Sequence, residues 1–410
     1  MKPMGSIPAD YRGENGELII GGERVSKIIE AAGDTPLFVY DLSIIEARID
    51  RLRAAMPAGL LIHYAMKANP FPPLLGVMAA RVDGIDVASQ GEMRLALDAG
   101  AAPSVISFAG PGKRDREIEA ALAQGVTLNC ESASEVDRAL DIGGRIGIAP
   151  RLAIRINPDF ELRGSGMRMG GRATAFGVDV AEVPDLALHI IAEGAEWRGF
   201  HIFSGSQALD PDALVEAQAA TLALSARLST EIGMAPPLVN LGGGFGIPYF
   251  PGEVPLDVER IGIALAQAFE THAHLLGDTE FAIELGRWLV GEAGVYLTRI
   301  IDRKRSHGET FLVTDGGLHH QLAASGNFGT VVRRNYPVAV ANRFGAEAEE
   351  AVTVVGCLCT PLDRLGDQVG LPQASPDDVI AVFMAGAYGA TASPSAFLGH
   401  GPAQEVLLGG

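Results

Sequence analysis

From residue 37 to about residue 290 the chain repeats one rhythm: a short apolar run, a turn, a helical segment, then another apolar run. The runs at 60–65, 84–88, 104–108, 126–130, 152–157, 197–202, 238–242 and 281–284 read as strands. Helical segments follow at 72–80, 92–97 and 115–124, and another starts at 133. Strands that alternate with helices at this spacing indicate a parallel β/α architecture. About eight such units in roughly 250 residues favour a closed barrel over an open doubly wound sheet. After 290 the rhythm changes. The runs at 294–300, 310–314, 351–356 and 378–383 are β-rich and lack regular helices between them. The expected organisation is therefore a segment 1–36 that pairs with a C-terminal β domain, a barrel over 37–290, and that mostly β domain over 291–410.

With 410 residues, the chain can build a large core, and two domains are the natural expectation. A hydrophobic content of 48% excludes a disordered chain. The 51 glycines show no period, which excludes a collagen-like repeat and suits many tight strand–loop–helix joints. A net charge of -18 disfavours nucleic acid or an acidic membrane surface as partner. A small phosphate group can still be held locally by backbone N–H groups and one arginine. Cys130, Cys357 and Cys359 suggest no disulfide framework, and Cys357-Leu358-Cys359 lacks companion zinc ligands, so no metal is expected. The first residues are polar and no run approaches about 20 apolar residues, so the cytoplasm is the expected compartment, without membrane insertion.

Several segments carry chemistry. Lys67, in His63-Tyr64-Ala65-Met66-Lys67-Ala68-Asn69-Pro70, ends a strand run and offers an amine, although alone it reads more readily as an ordinary solvent-facing lysine. Glu284 ends another strand just before Gly286-Arg287 and is either a site carboxylate or a salt-bridge partner. Gly242-Gly243-Gly244 offers close backbone approach and unblocked N–H groups for an anion, or a flexible turn. No Gly-Lys-Ser/Thr ending accompanies it, so it is not a nucleotide loop. His319 and His320 are adjacent, and on an extended strand they would face opposite ways, which suits substrate contact by one better than joint ligation of a metal. Arg334 fits a carboxylate or phosphate, or a surface salt bridge.

Lys67 together with Gly205-Ser206-Gln207, Gly242 to Gly246, Glu284-Leu285-Gly286-Arg287 and Gly386-Ala387-Tyr388-Gly389 resembles the fold-type III pyridoxal phosphate-dependent decarboxylases. That family includes diaminopimelate and ornithine decarboxylases, and the resemblance covers nearly the whole chain. The segment from Asp315 to Gly329, with Arg334-Asn335-Tyr336-Pro337, is most similar to the group associated with exosortase A gene systems. The resemblance implies an α/β fold: a pyridoxal phosphate-binding (β/α)8 barrel of the alanine-racemase type with a C-terminal, mostly β domain. It implies pyridoxal 5'-phosphate as cofactor, Lys67 as its Schiff-base residue, and Glu284 as the carboxylate that keeps the pyridine nitrogen protonated. Ser206, Gly243, Gly244, Gly286, Arg287 and Tyr388 would hold the phosphate, while Asn69 and Asp86 shape the pocket. A homodimer with shared active sites follows from the same resemblance.

Two departures bear on mechanism and substrate. Phe203 stands where many relatives place a histidine that stacks on the cofactor ring, so it is assigned to packing; His201 is left between a structural and a catalytic role. Cys359-Thr360-Pro361-Leu362-Asp363 matches the Cys-Glu-Ser-x-Asp region of diaminopimelate decarboxylases. The resemblance thus makes Cys359 the candidate proton donor to the substrate α-carbon, with a structural thiol as the alternative. Thr360 replaces the glutamate that recognises the distal end of diaminopimelate, and a hydroxyl cannot pair equally with an ammonium. His319, Arg334, Thr360, Asp363 and Phe397 complete the substrate-side expectations. The expected reaction is decarboxylation of an α-amino acid, either a diaminopimelate-like molecule or an amino-acyl group on a carrier protein. An amino-acid racemase and a non-catalytic cofactor-binding module are the alternatives.

Overall fold

The computed structural model describes residues 1–164, 166–168, 170–171, 173–326 and 334–409. Asn327, Phe328 and Gly329, the tail of the exosortase-like segment, lie outside the described residues. The described chain divides into two compact units, residues 49–246 with 255–286, and residues 1–48 with 247–254 and 287–410.

The first unit is a closed parallel barrel. Its strands are β1 (Leu61–Ala65), β2 (Gly84–Val87), β3 (Ile106–Phe108), β4 (Thr127–Cys130), β5 (Arg151–Asn157), β6 (Glu196–Ile202), β7 (Leu238–Asn240) and β8 (Glu280–Leu285). Each pairs in parallel with the next. β8 pairs back with β1, setting Glu284 opposite His63, which closes the ring. The strands are buried on both faces, which is why they read as nearly continuous apolar runs rather than alternating ones. Phe108 and Phe200, each 1% exposed, contribute roughly 1.5–3 kcal/mol apiece to this core.

Local chemistry sets the joints between strand and helix. Ser89 Oγ accepts a hydrogen bond from Glu92 N–H at 3.1 Å, and Ser132 Oγ does the same for Glu135 N–H at 3.1 Å. In both cases the glutamate reaches back to a preceding N–H, Ala88 in the first and Glu131 in the second. This reciprocal arrangement starts the helices Gln90–Asp98 and Ala133–Ile146 and so fixes where the strands before them must stop. Glycines in the left-handed conformation end the helices Asp115–Gln124, Ala133–Ile146 and Pro211–Ile232.

The second unit is built on an antiparallel-rich sheet. Its spine is the long strand Gly294–Ser306, which pairs with Leu37–Asp41, Val379–Val382 and Glu309–Thr314. Glu309–Thr314 extends to Glu350–Val355 and then to Arg364–Leu371. Gln404–Leu408 covers the other side of Leu37–Asp41. The expected barrel start at residue 37 is thereby corrected: this strand belongs to the second sheet, and the barrel unit begins at Ile49. The reason is physical. Leu37–Asp41 is buried along its whole length, so its apolar run has the same appearance as a barrel strand. Residues 247–254 also go to the second unit, a detour within the stretch expected to be all barrel. Among the described residues no helix is long and apolar enough to cross a membrane.

Candidate active site

Lys67 lies in the one-turn helix Met66–Ala68 directly after β1. Tyr64 OH donates to the Asn69 carbonyl at 2.8 Å, and Phe71 N–H donates to Asn69 Oδ1 at 3.0 Å. These bonds fix the turn that presents the lysine, with Met66 and Ala68 buried on either side and Lys67 itself exposed. Its Nζ stands 5.4 Å from the Phe203 ring centroid, an attractive cation–π placement. Among the described residues Lys67 makes no salt bridge, so its amine is not committed to a carboxylate.

Three neighbouring strands supply a buried polar group beside it. His201 on β6, Asn240 on β7 and Glu284 on β8 point into the barrel, with His201 opposite Asn240 in register. Glu284 Oε2 lies 2.8 Å from His201 Nε2 and accepts from Asn240 Nδ2 at 3.3 Å. Burial alone would raise the Glu284 carboxyl. The charges of His201, Lys67 and Arg155 and the His201 hydrogen bond outweigh burial and hold the carboxyl down at about 2. Glu284 is therefore an ionised carboxylate in a buried setting. His201 Nδ1 is buried without a partner among the described residues.

Asp86 anchors a second polar chain. Its Oδ1 lies 3.2 Å from His63 Nδ1 and accepts from Ser107 Oγ, which in turn accepts from Asn129 Nδ2 at 3.1 Å. Burial pulls the His63 imidazole down, but the charge and hydrogen bond of Asp86, helped by Glu284 and Asp83, leave it above its ordinary value. Arg155 on β5 donates to Glu131 Oε1 at 2.9 Å, and both are buried. Sequence reasoning missed His63, Ser107, Asn129, Arg155 and Asn240. Their signal was available: each is a polar residue inside an otherwise apolar strand, where burial demands a partner.

The glycine segment follows β7. Gly242 N–H donates to Asn240 Oδ1 at 2.8 Å, whereas the N–H groups of Gly243 and Gly244 have no partner among the described residues. A Cβ at Gly243 would run into the Glu284 carbonyl oxygen, so only glycine permits this approach. Ser206, half-buried, lies in the two-residue strand Gly205–Ser206 that pairs with Met167–Arg168.

In the second unit, Arg287 opens the short helix Arg287–Val290 directly after Gly286. Its Nη1 donates to Tyr249 OH at 2.6 Å, and its guanidinium sits 4.6 Å from the Tyr388 ring centroid. Its Nε is buried and unpartnered, and among the described residues it makes no salt bridge. Tyr388 has φ 55, a left-handed conformation that costs a non-glycine residue about 1–3 kcal/mol and concentrates at functional sites.

The substrate-side residues divide. Cys359 is exposed, and Thr360 Oγ1 accepts from Leu362 N–H at 3.4 Å. Phe397 is 41% exposed. Asp363 is corrected to a structural role, because it is buried with Oδ1 taken by Leu318 N–H at 2.6 Å and Oδ2 by Leu358 N–H at 2.9 Å. Arg334 lies 3.2 Å from Glu253 Oε1 and 3.7 Å over the Phe250 ring, the exposed salt bridge of its two expected alternatives. His319 and His320 are not on a strand; they share a turn with ring centroids 3.8 Å apart.

Residues 42–291 match the family model for the pyridoxal-dependent decarboxylase, pyridoxal binding domain. The chain belongs to the pyridoxal-dependent decarboxylases. It is 36% identical to the L-glutamyl-[BtrI acyl-carrier protein] decarboxylase of Niallia circulans, over 91% of this chain and 89% of that one. It is 32% identical to a diaminopimelate decarboxylase of Archaeoglobus fulgidus, over 97% of this chain and 93% of that one. The crystal structure of diaminopimelate decarboxylase from Helicobacter pylori complexed with L-lysine superposes with a TM-score of 0.78 at 28% identity, covering 89% of each chain. The protein is thus a pyridoxal phosphate-dependent decarboxylase, and the racemase alternative has no representative among these relatives.

The residues present fit pyridoxal phosphate. An aldehyde needs an amine free of a carboxylate, which Lys67 offers. A ring nitrogen kept protonated needs a buried, ionised carboxylate, which Glu284 offers. A phosphate needs uncommitted donors, and the N–H groups of Gly243 and Gly244 have no partner among the described residues.

Proposed function

We propose that this decarboxylase removes the α-carboxylate of an amino-acyl group carried on an acyl carrier protein, working as a homodimer with shared active sites. The observation that carries the substrate reading is the 36% identity, over 91% of the chain, to a relative named as an acyl-carrier-protein glutamyl decarboxylase. Thr360 and the exosortase-like segment support it, since a threonine hydroxyl gives a distal ammonium no charge partner. A shared site is supported by the exposure of Cys359 and Phe397 in the single chain, where a second copy could cover them.

Bound pyridoxal phosphate supplies an electrophilic carbon and an electron-accepting ring. Lys67 Nζ would hold the cofactor and yield to the substrate amine. Glu284 would keep a proton on the ring nitrogen, with His201 and Asn240 fixing its carboxylate. Phe203 would stack where relatives use a histidine. Ser206, Gly243, Gly244, Gly286, Arg287 and Tyr388 would bind the phosphate. As the carboxylate leaves as carbon dioxide, its bonding pair stays on the α-carbon, and Cys359 Sγ or a water supplies the proton that replaces it.

The test is mass-resolved turnover on purified holoenzyme with glutamyl-loaded carrier, free glutamate and free diaminopimelate. Loss of one carboxyl mass from the loaded carrier, with little change in the free amino acids, is expected. Efficient turnover of free diaminopimelate with an inert loaded carrier would overturn the substrate reading.

A further inference from the structure

We propose that His319, Cys357 and His400 form a site for a zinc-class divalent cation. The three residues lie in the second unit but come from separate segments: a turn after the strand Glu309–Thr314, the loop after Glu350–Val355, and the end of the turn Phe397–Gly399. Each offers one ligand atom, and these atoms all lie within 4.8 Å of one another. Cys357 Sγ is 3.8 Å from both ring nitrogens of His400, and the His319 and His400 ring centroids are 5.2 Å apart.

His319 is the second, independent observation. It is 0% exposed, and neither Nδ1 nor Nε2 has a hydrogen-bond partner among the described residues. An imidazole buried with both nitrogens unused is costly, and a bound ion is one of the few ways to satisfy it. His320 makes the contrast within one turn: its Nδ1 meets Tyr296 OH at 3.0 Å and its Nε2 meets the Gly401 carbonyl at 2.9 Å. His320 is thus committed to other partners, and His319 finds its co-ligands in other segments.

Two imidazoles and a thiolate are borderline-to-soft donors, a set that selects zinc over magnesium or calcium. Tetrahedral zinc at the usual bond lengths places such ligand atoms roughly 3.3–3.6 Å apart. A pair at the 4.8 Å limit must then close by roughly 1.2–1.5 Å, and exposed His400 is free to make that movement while buried His319 stays fixed. Binding displaces the thiol proton of Cys357 and leaves a fourth position for water or a further ligand. A bound ion would also pin the loop that carries Cys359 and Thr360, only two and three residues beyond Cys357.

The experiment uses tag-free holoenzyme stripped with a chelator, titrated with Zn2+ in competition with a chromophoric chelator. Cobalt then replaces zinc, and difference spectra against the metal-free holoenzyme remove the cofactor's own absorbance. Expected are one zinc per chain, a thiolate-to-cobalt charge-transfer band, and a rise in the unfolding midpoint on adding zinc. Cys357→Ser and His400→Ala each weaken zinc binding at least about tenfold and abolish the midpoint rise, whereas Cys359→Ser retains all three signals. Both ligand side chains lie at least partly in solvent, so metal-free variants should unfold at the wild-type midpoint, and circular dichroism checks that they fold. Substoichiometric binding by the wild type, or wild-type binding by Cys357→Ser, would overturn the site and would assign His319 to an ordered water instead.

Discussion

The barrel mouth and the loops of the β unit handle polar side chains in opposite ways. In the barrel, Glu284, His201 and Asn240 bond one another, as do Asp86, His63, Ser107 and Asn129, with only His201 Nδ1 and Asp86 Oδ2 of these two sets buried without a partner among the described residues. In the β unit, Asp363 spends itself on backbone N–H groups, Arg287 meets the Tyr249 phenol and the Tyr388 ring, and His319 has no hydrogen-bond partner among the described residues. The difference follows from the scaffold. Eight parallel strands place inward residues in layers at fixed spacing, so complementary partners meet across strands. Loops drawn from distant segments must first be shaped by backbone hydrogen bonds, and what remains is free for ligands. The barrel set is thus a prearranged electrostatic network, whereas among the β-unit groups named the His319 nitrogens and the Arg287 Nε are left without hydrogen-bond partners among the described residues.

The largest expected break in that contrast is Lys67→Ala. It removes the barrel's uncommitted amine, and turnover should fall by about 10³-fold or more, equivalent to about 4 kcal/mol of barrier, together with the cofactor's visible absorbance. Retained turnover with normal cofactor dependence would contradict the assignment.

Next comes Glu284→Gln, which keeps the shape and removes the charge. A loss of about 10²-fold in kcat is expected, in the range for deleting one preorganised charge contact. The same variant carries a pH signature. The Glu284 carboxyl is held at about 2 in the folded chain, well below the ~4.3 of an unfolded one, so its ionised form adds stability above about pH 4.5 that is lost as pH falls towards 2. Acid titrations of unfolding should show this component in the wild type and not in the variant.

In the β unit, Asp363→Asn leaves one of two buried N–H groups facing an amide instead of a carboxylate. A loss of about 1–3 kcal/mol in stability is expected by denaturant unfolding, without loss of bound cofactor. The smallest effect is Phe203→Leu, which deletes a ring but keeps an apolar side chain. A weakening of cofactor binding by roughly two- to tenfold corresponds to the roughly 0.5–1.5 kcal/mol of a lost ring-stacking contact.

Much of this was legible in the sequence. Barrel strands announce themselves because burial on both faces leaves an apolar run, and Lys67, Glu284 and the triple glycine fall at run ends, where such barrels put their chemistry. The same rule misled at Leu37–Asp41, an equally buried run in the other sheet, because periodicity reports burial and not which sheet provides it. The His201–Glu284 contact spans 83 residues and depends on the ring closing in one register, which no local pattern encodes. Asp363 looked like a ligand because a carboxylate in a loop attracts that reading, whereas two backbone N–H groups, of Leu318 and Leu358, take its oxygens. The His319, Cys357 and His400 cluster has no spacing signature, since three loops assemble it.

The most direct test of the central claim is product analysis in heavy water with a carrier-bound amino-acyl group labelled in its α-carboxyl. Release of the label as carbon dioxide with one deuterium gained at the α-carbon, absent in Lys67→Ala, is the predicted result. Retention of the label with deuterium exchanged at that carbon would contradict decarboxylation and reinstate proton exchange as the reaction.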